Sequence, residues 1–315
     1  MRSSRFALAI ALSAASALAL TGCAASADGG ETGALQVVAS TNVYGQLAAE
    51  IGGDRVEVTS LIDSAAKDPH GYEATARDRL AVQKADLVIA NGGGYDAFMD
   101  ELIDGSDAVV ITAAEFSHDY PDAVVEPDDD ADEHEGHSHI EGFNEHVWFD
   151  VHTVSHVAEQ IAADLTELDP AGEADYSAAA EKLAGELEAI EGELDELHAK
   201  LEGTPVFITE PLPGALAAAA GLDDVAPEGF ASAVEEGNEV APAILLESLS
   251  LVEDGGVRAV LANAQTGGAE TSRVEDAARG AGIPVITFRE LLSADQSYPE
   301  WMRSAISDLA AALDG

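Results

Sequence analysis

The feature that most constrains this chain is a single uninterrupted amphipathic run in its middle. Ala180, Leu183, Leu187, Ile190, Leu194, Leu197 and Leu201 recur at steps of three and four, with Glu and Asp filling the other positions. That periodicity specifies one long helix with one apolar stripe, ended by Gly203 just before the strand that starts at Pro205. On either side lie short β-branched runs separated by helical patterns. Leu35–Ser40, Val56–Ile62, Leu87–Ala90 and Ala108–Thr112 precede it, and Pro205–Thr209, Val257–Ala262 and Pro284–Phe288 follow it. Strands alternating with helices predict parallel sheets, so the expected fold is α/β, with two lobes of mainly parallel strands joined by one rigid helix. A coiled-coil dimer is the competing use of the stripe. The run spans only about three heptads and its charges are almost all of one sign, so a monomer with a helical spine is preferred.

Charge narrows the function classes. Asp and Glu number 60 against 14 Lys and Arg, a formal net charge of −46, yet the hydrophobic fraction of 47% is that of a folded protein. Such a surface repels phosphates and anionic headgroups and attracts cations, so no nucleic-acid partner is expected. The single Cys excludes an intramolecular disulfide framework and any Cys-rich metal cluster.

That Cys sits at a telling place. Arg2 and Arg5 precede an apolar stretch from Phe6 to Leu20 that is short for a membrane span and ends in Leu20-Thr21-Gly22-Cys23. The pattern resembles a bacterial lipoprotein cleavage site. Residues 1–22 are then an export signal, Cys23 is the lipid-carrying first residue of the mature chain, and 23–33 form a small-residue tether. The chain is expected outside the cytoplasm, held at the membrane through Cys23. The N-terminal lobe is assigned to 34–170, the linking helix to 171–203 and the C-terminal lobe to 204–315. Within the first lobe, residues 126–145 are almost devoid of apolar content and are read as an acidic mobile loop. Its His134, His137 and His139, set among carboxylates, form a composition suited to gathering metal.

Familiar catalytic signatures are missing. Asn91-Gly92-Gly93-Gly94 follows a strand but lacks the Lys-Ser/Thr of a phosphate loop and is explained by a turn. No G-x-S-x-G elbow occurs. His152 and His156 lie four apart on a predicted helix, a spacing able to chelate zinc. Without a Glu after the first His the pair is not H-E-x-x-H, and it is read as structural or exposed. The remaining candidates sit near strand ends, where ligands bind in open α/β sheets. His70 lies in the loop after Ile62, His146 opens His146-Val147-Trp148-Phe149-Asp150, Glu210 follows Thr209, and Glu290 lies two residues beyond Phe288. All four can face one crevice between the lobes.

These stretches together resemble the zinc- and manganese-binding lipoproteins, cluster A-I solute-binding proteins, that serve ABC metal transporters. The resemblance rests on Ala39-Ser40-Thr41-Asn42, Asp68-Pro69-His70-Gly71-Tyr72-Glu73, Ala85-Asp86-Leu87-Val88 with Asn91-Gly92, and the His146–Asp150 stretch. It continues through the long helix, Thr209-Glu210-Pro211 and Gly282-Ile283-Pro284-Val285. It implies a metal between two lobes held by four side chains and passed to an ABC permease, with no catalysis. By that resemblance His70 and His146 are two ligands. The third position, His in zinc-type members and Glu in manganese-type members, is Glu210 here. The fourth is Glu290, with Asp295 in reserve. Two imidazoles and two carboxylates make a site neutral with a divalent ion. The oxygen-rich set suits manganese and the His-bearing loop suits zinc, so both ions stay open. A secreted metal-dependent hydrolase and a surface adhesin are the alternative functions. The hydrolase would need an open coordination position and a general base.

Overall fold

A computed structural model describes residues 33–64, 67, 71–121, 140 and 142–313. The first sheet comprises β1 (Leu35–Thr41), β2 (Val56–Ile62), β3 (Leu87–Ala90) and β4 (Val109–Thr112), in the order β2-β1-β3-β4, all parallel. Helix α1 (Asn42–Gly52) connects the first two strands, α2 (Ala76–Val82) precedes β3, and α3 (Phe98–Ile103) precedes β4. Helix α4 (Val151–Leu168) leads through a short corner into α5 (Glu173–Leu201). The second sheet contains β5 (Thr204–Ile208), β6 (Leu222–Asp224), β7 (Ala259–Asn263) and β8 (Val285–Phe288) and repeats the same arrangement, β6-β5-β7-β8, again all parallel. Its helices are α6 (Gly214–Ala219), α7 (Phe230–Glu235), α8 (Pro242–Glu253) and α9 (Ala269–Ala281), followed by α10 (Tyr298–Leu313).

The expected fold class is what the structure shows: parallel sheets, surrounding helices and a long helix between them. The β-branched runs become strands because an all-parallel sheet is covered on both faces and accepts near-continuous apolar sequence. Val37 to Ala39, Leu87 to Ala90 and Ala259 to Ala262 are all buried. The strand the sequence reading lacks is β6. It has three residues, of which Asp223 and Asp224 are exposed, and only pairing with β5 makes it a strand.

Helix α5 spans 29 residues, roughly 43 Å at 1.5 Å per residue. Leu183, Leu187, Ile190, Leu194, Leu197 and Leu201 are all buried, and Ala180 packs against the same core. The stripe is occupied within the chain by α1, α4 and α10, which leaves no open seam for a coiled-coil partner. Gly203, at φ 73°, turns the chain into β5.

The last helix adds a connection that the sequence reading did not contain. After β8 the chain returns to the first sheet's helices. The Asn42 side chain donates to Leu292 O at 2.9 Å and accepts from Leu292 N at 3.2 Å, and Tyr298 N donates to Gln46 Oε1 at 3.0 Å. The Tyr298 hydroxyl donates to Trp148 O at 2.8 Å, and Trp301 lies 5.2 Å from the Phe149 ring, which also meets Phe288. One continuous core therefore includes residues of both sheets, α5 and α10.

Leu187→Ala is expected to cost about 2–5 kcal/mol, because it opens a cavity at a fully buried position of the stripe. Glu188→Ala, on the exposed face, is expected to change stability by no more than about 0.5 kcal/mol. Denaturant midpoints at constant slope measure both. A small loss for Leu187→Ala would mean that the stripe is not the packing face.

Candidate metal centre

In a parallel sheet the crevice outside the carboxyl ends, where strand order reverses, is the natural ligand position. Each sheet here reverses between its first and third strands in sequence, β1/β3 and β5/β7. The side chains gathered at the centre come from the ends of these strands and the loops that follow.

At the second sheet, Asn263 ends β7 and its amide Nδ2 donates to both Glu210 and Glu290, the latter at 2.8 Å. Thr266 Oγ1 donates to Glu210 Oε1 at 2.6 Å. Gln265 completes the loop: its backbone N donates to Asn263 Oδ1 at 2.9 Å and its Oε1 accepts from Glu290 N at 2.8 Å. Glu210 and Glu290 are 4% and 1% exposed, so two carboxylates are held out of water on one amide. Such a pair is costly unless donors or a cation compensate it.

At the first sheet, the Asn91–Gly94 turn has Gly92, Gly93 and Gly94 all at positive φ, and a Cβ on Gly93 would stand 2.8 Å from the Phe143 ring. A turn is therefore the right reading of this glycine run, and its role is to position Tyr95. Asp96 fastens the turn by accepting from Asn91 N at 2.7 Å and Gly92 N at 2.8 Å. The buried Tyr95 hydroxyl then reaches across to donate to Glu290 Oε2 at 3.0 Å. Burial and the neighbouring Glu290 charge push the Tyr95 phenol well above its ordinary pKa, which keeps it a donor.

His146 is buried at the edge of the same cluster, with its ring 5.7 Å from that of Tyr95 and 5.2 Å from that of Trp148. Asn144 fixes its orientation. Asn144 Nδ2 donates to Pro211 O at 2.9 Å, so Oδ1 is the acceptor, receiving His146 N at 3.1 Å and facing Nδ1 at 2.9 Å. Glu235 Oε1 lies 3.7 Å from the same Nδ1. With the ring proton on Nδ1, the lone pair available to a metal is on Nε2. Gly214 permits the approach of the Pro211 turn, since a Cβ there would stand 2.9 Å from Asn144 Nδ2.

Among the described residues, one group of potential ligand atoms lies within 4.8 Å of one another: Glu145, His146 and Glu235. Neither Glu145 nor Glu235 was expected. Glu145 falls at the end of the segment read as a mobile loop, which places that segment's boundary too late. Phe143 packs against the Tyr120 ring at 5.4 Å, Glu145 is 2% exposed, and its carbonyl accepts from Asn91 Nδ2 at 2.9 Å. Tyr95 and Asn263 were also missed, although Asn263 ends a strand as Glu210 nearly does. The reserve carboxylate, Asp295, is exposed and lies in a surface depression with Gln46, Glu50, Lys182 and Glu186, away from this network. Cys23, His70, His134, His137 and His139 lie outside the described residues.

A family model described as zinc-uptake complex component A, periplasmic, matches residues 37–312. The manganese-binding lipoprotein MntA of Halalkalibacterium halodurans is 32% identical over 177 residues, covering 56% of this chain and 54% of the relative. The zinc-binding lipoprotein AdcA of Streptococcus pneumoniae is 26% identical over 158 residues, covering 48% of this chain and 31% of the relative. The match to the first of these thus spans about half the relative's length. Among solved structures, the manganese complex of FpvC from Pseudomonas aeruginosa superposes with a TM-score of 0.68 at 22% identity, covering 89% of this chain and 98% of that one. The laminin-binding protein Lmb of Streptococcus agalactiae, described as a bifunctional protein with adhesin and metal-transporting activity, gives 0.69 at 20% identity over 89% and 99%. At these identities the structures show a shared fold.

All six tyrosines have raised pKa values, with burial the first cause in each: Tyr44, Tyr95 and Tyr298 well above the ordinary value, Tyr72 and Tyr176 up to about 12, and Tyr120 raised in the same direction. An unfolded phenol ionises near pH ~10, so above that pH the native state holds more protons than the unfolded one. Their contribution to stability is therefore complete below pH ~10 and is lost as pH rises beyond it. Tyrosinate absorbance should stay nearly flat through pH ~10 and then rise together with the loss of near-UV dichroism. A reversible rise at pH ~10 in folded protein would contradict this burial pattern.

Proposed function

This chain belongs to the family of the periplasmic zinc-uptake component A, and on that premise we propose that it is an extracytoplasmic binding protein that captures one zinc or manganese ion and delivers it to an ABC permease. The observation that carries this reading is the set of donors above. Tyr95 and Asn263 hold the Glu210 and Glu290 carboxylates in one hydrogen-bonded cluster, and the buried His146 imidazole, oriented by Asn144, packs against the Tyr95 ring at the edge of that cluster. The ion is cargo, and no catalytic step enters the reading.

The proposed ligands are His70, His146 through Nε2, Glu210 and Glu290, with Glu235 behind the imidazole on the Nδ1 side. Neutral imidazoles and two carboxylates balance a divalent cation, which relieves the cost of burying Glu210 and Glu290 together. Asn263, Thr266 and Tyr95 orient the carboxylates and occupy their remaining lone pairs. Anchoring through a lipid on Cys23 and gathering of ions by His134, His137 and His139 complete the proposed path from solution to permease.

Equilibrium binding of zinc and manganese distinguishes the ligands from their supports. His146→Ala and Glu210→Gln are expected to abolish tight binding. Asn263→Ala, Tyr95→Phe and Glu235→Gln should retain one ion at about 10–100-fold lower affinity. Full affinity in Glu210→Gln would remove that residue from the set. Since a proton competes with metal for the imidazole nitrogen, retention should weaken as pH falls.

Zinc outcompetes manganese intrinsically at nitrogen and oxygen sites, so affinity in vitro does not name the cargo. Growth does. For a manganese receptor, Glu210→His strengthens zinc retention and impairs manganese-limited growth, whereas a zinc receptor tolerates the change. Cys23→Ser should shift the protein from the membrane fraction to the soluble one, and continued membrane partitioning would end the anchor assignment.

A further inference from the structure

On the surface of α4, separate from the centre above, His152 and His156 form a second arrangement of donors. Their Nε2 atoms face one another at 3.3 Å. The opposite nitrogens face carboxylates: His152 Nδ1 lies 3.4 Å from Glu191 Oε1 on α5, and His156 Nδ1 lies 3.5 Å from Glu159 Oε2 one turn along α4. At this distance one ring with its proton on Nε2 donates to the other, and a cation binding between them displaces that proton. With the ring protons moved to Nδ1, facing Glu191 and Glu159, both Nε2 lone pairs are open to the ion. Nitrogen ligands about 2.0–2.1 Å from a zinc ion and at a tetrahedral angle stand roughly 3.3–3.4 Å apart, which is the spacing found here. A carboxylate behind each imidazole is also the usual support for a metal-bound His, fixing the tautomer and raising the basicity of the other nitrogen.

We propose that His152 and His156 chelate a second divalent ion of the zinc, nickel or copper class through their Nε2 atoms, with Glu191 and Glu159 orienting the rings and water completing the coordination. The helix sets the spacing, because residues four apart share one face. Asp150 sets the start of that helix, accepting from His152 N at 3.1 Å and from the Thr153 hydroxyl. The two side chains remain 65% and 46% exposed, so the site exchanges freely with solvent and needs no opening of the fold. An all-nitrogen protein donor set discriminates against manganese, calcium and magnesium, which favour oxygen. His152 follows His146 by six residues, so their Cα atoms stand at most about 22 Å apart.

The inference does not depend on the central site, and its test empties that site first. The full chain carrying His146→Ala, with His134, His137 and His139 each replaced by Gln, is dialysed against zinc. The same protein with His152→Gln and His156→Gln added serves as the comparison, and circular dichroism shows that both are folded. The parent is expected to hold one more zinc ion per chain than the comparison, unaffected by excess magnesium, and Glu191→Gln should weaken that ion about tenfold. Copper bound to the parent should show two nitrogen ligands in its electron paramagnetic resonance, reduced in the comparison. Equal zinc stoichiometry in the two proteins would overturn the proposal whatever the outcome for the central site.

Discussion

Burying two carboxylates beside each other is the constraint around which this molecule is arranged. Glu210 and Glu290 leave water together, and one amide, that of Asn263, bridges them. An isolated buried carboxylate costs several kcal/mol, and two side by side add their repulsion. The surroundings answer this cost by geometry: Thr266 on one carboxylate, Tyr95 from the other sheet on the second, and Gln265 fixing the loop between them. These donors are neutral. They offset desolvation without bringing a positive charge of their own, which keeps the pair suited to a cation.

Two copies of one strand order supply the positions. Because both sheets are parallel and reverse order at corresponding strands, their carboxyl ends are the places where loops can converge without interrupting a hydrogen-bond ladder. The glycine turn after β3 and the Asn263 loop after β7 are counterparts in this scheme. One presents a phenol and the other an amide. They meet at Glu290, one carboxylate oxygen accepting from the Asn263 amide and the other from the Tyr95 phenol.

The parts legible in sequence were those with local periodicity. The stripe from Leu183 to Leu201 and the β-branched runs report their own burial, and the buried strand cores match them. Strand β6 was illegible because Leu-Asp-Asp carries no strand signal and exists through its neighbour. Glu210, Glu290 and His146 could be singled out because each stands at or near the end of a recognisable run. Glu145 was hidden in an acidic tract whose composition argues for solvent, and only the docking of Phe143 shows where that tract ends. Glu235 closes a six-residue helix with no motif around it. Its proximity to His146 is a tertiary fact. Asp295 and Glu290 looked interchangeable at a separation of five residues, and burial separates them.

The return of α10 onto α1 carries a mechanical consequence. A body whose halves meet through one helix can open like a jaw. Here the Asn42–Leu292 pair of bonds and the Tyr298–Trp148 bond fasten a second strut across the same span. A second strut adds resistance to wide opening, since parting the two halves there would break these three hydrogen bonds and expose the aromatic contacts of Trp301 and Phe149 as well as bend α5.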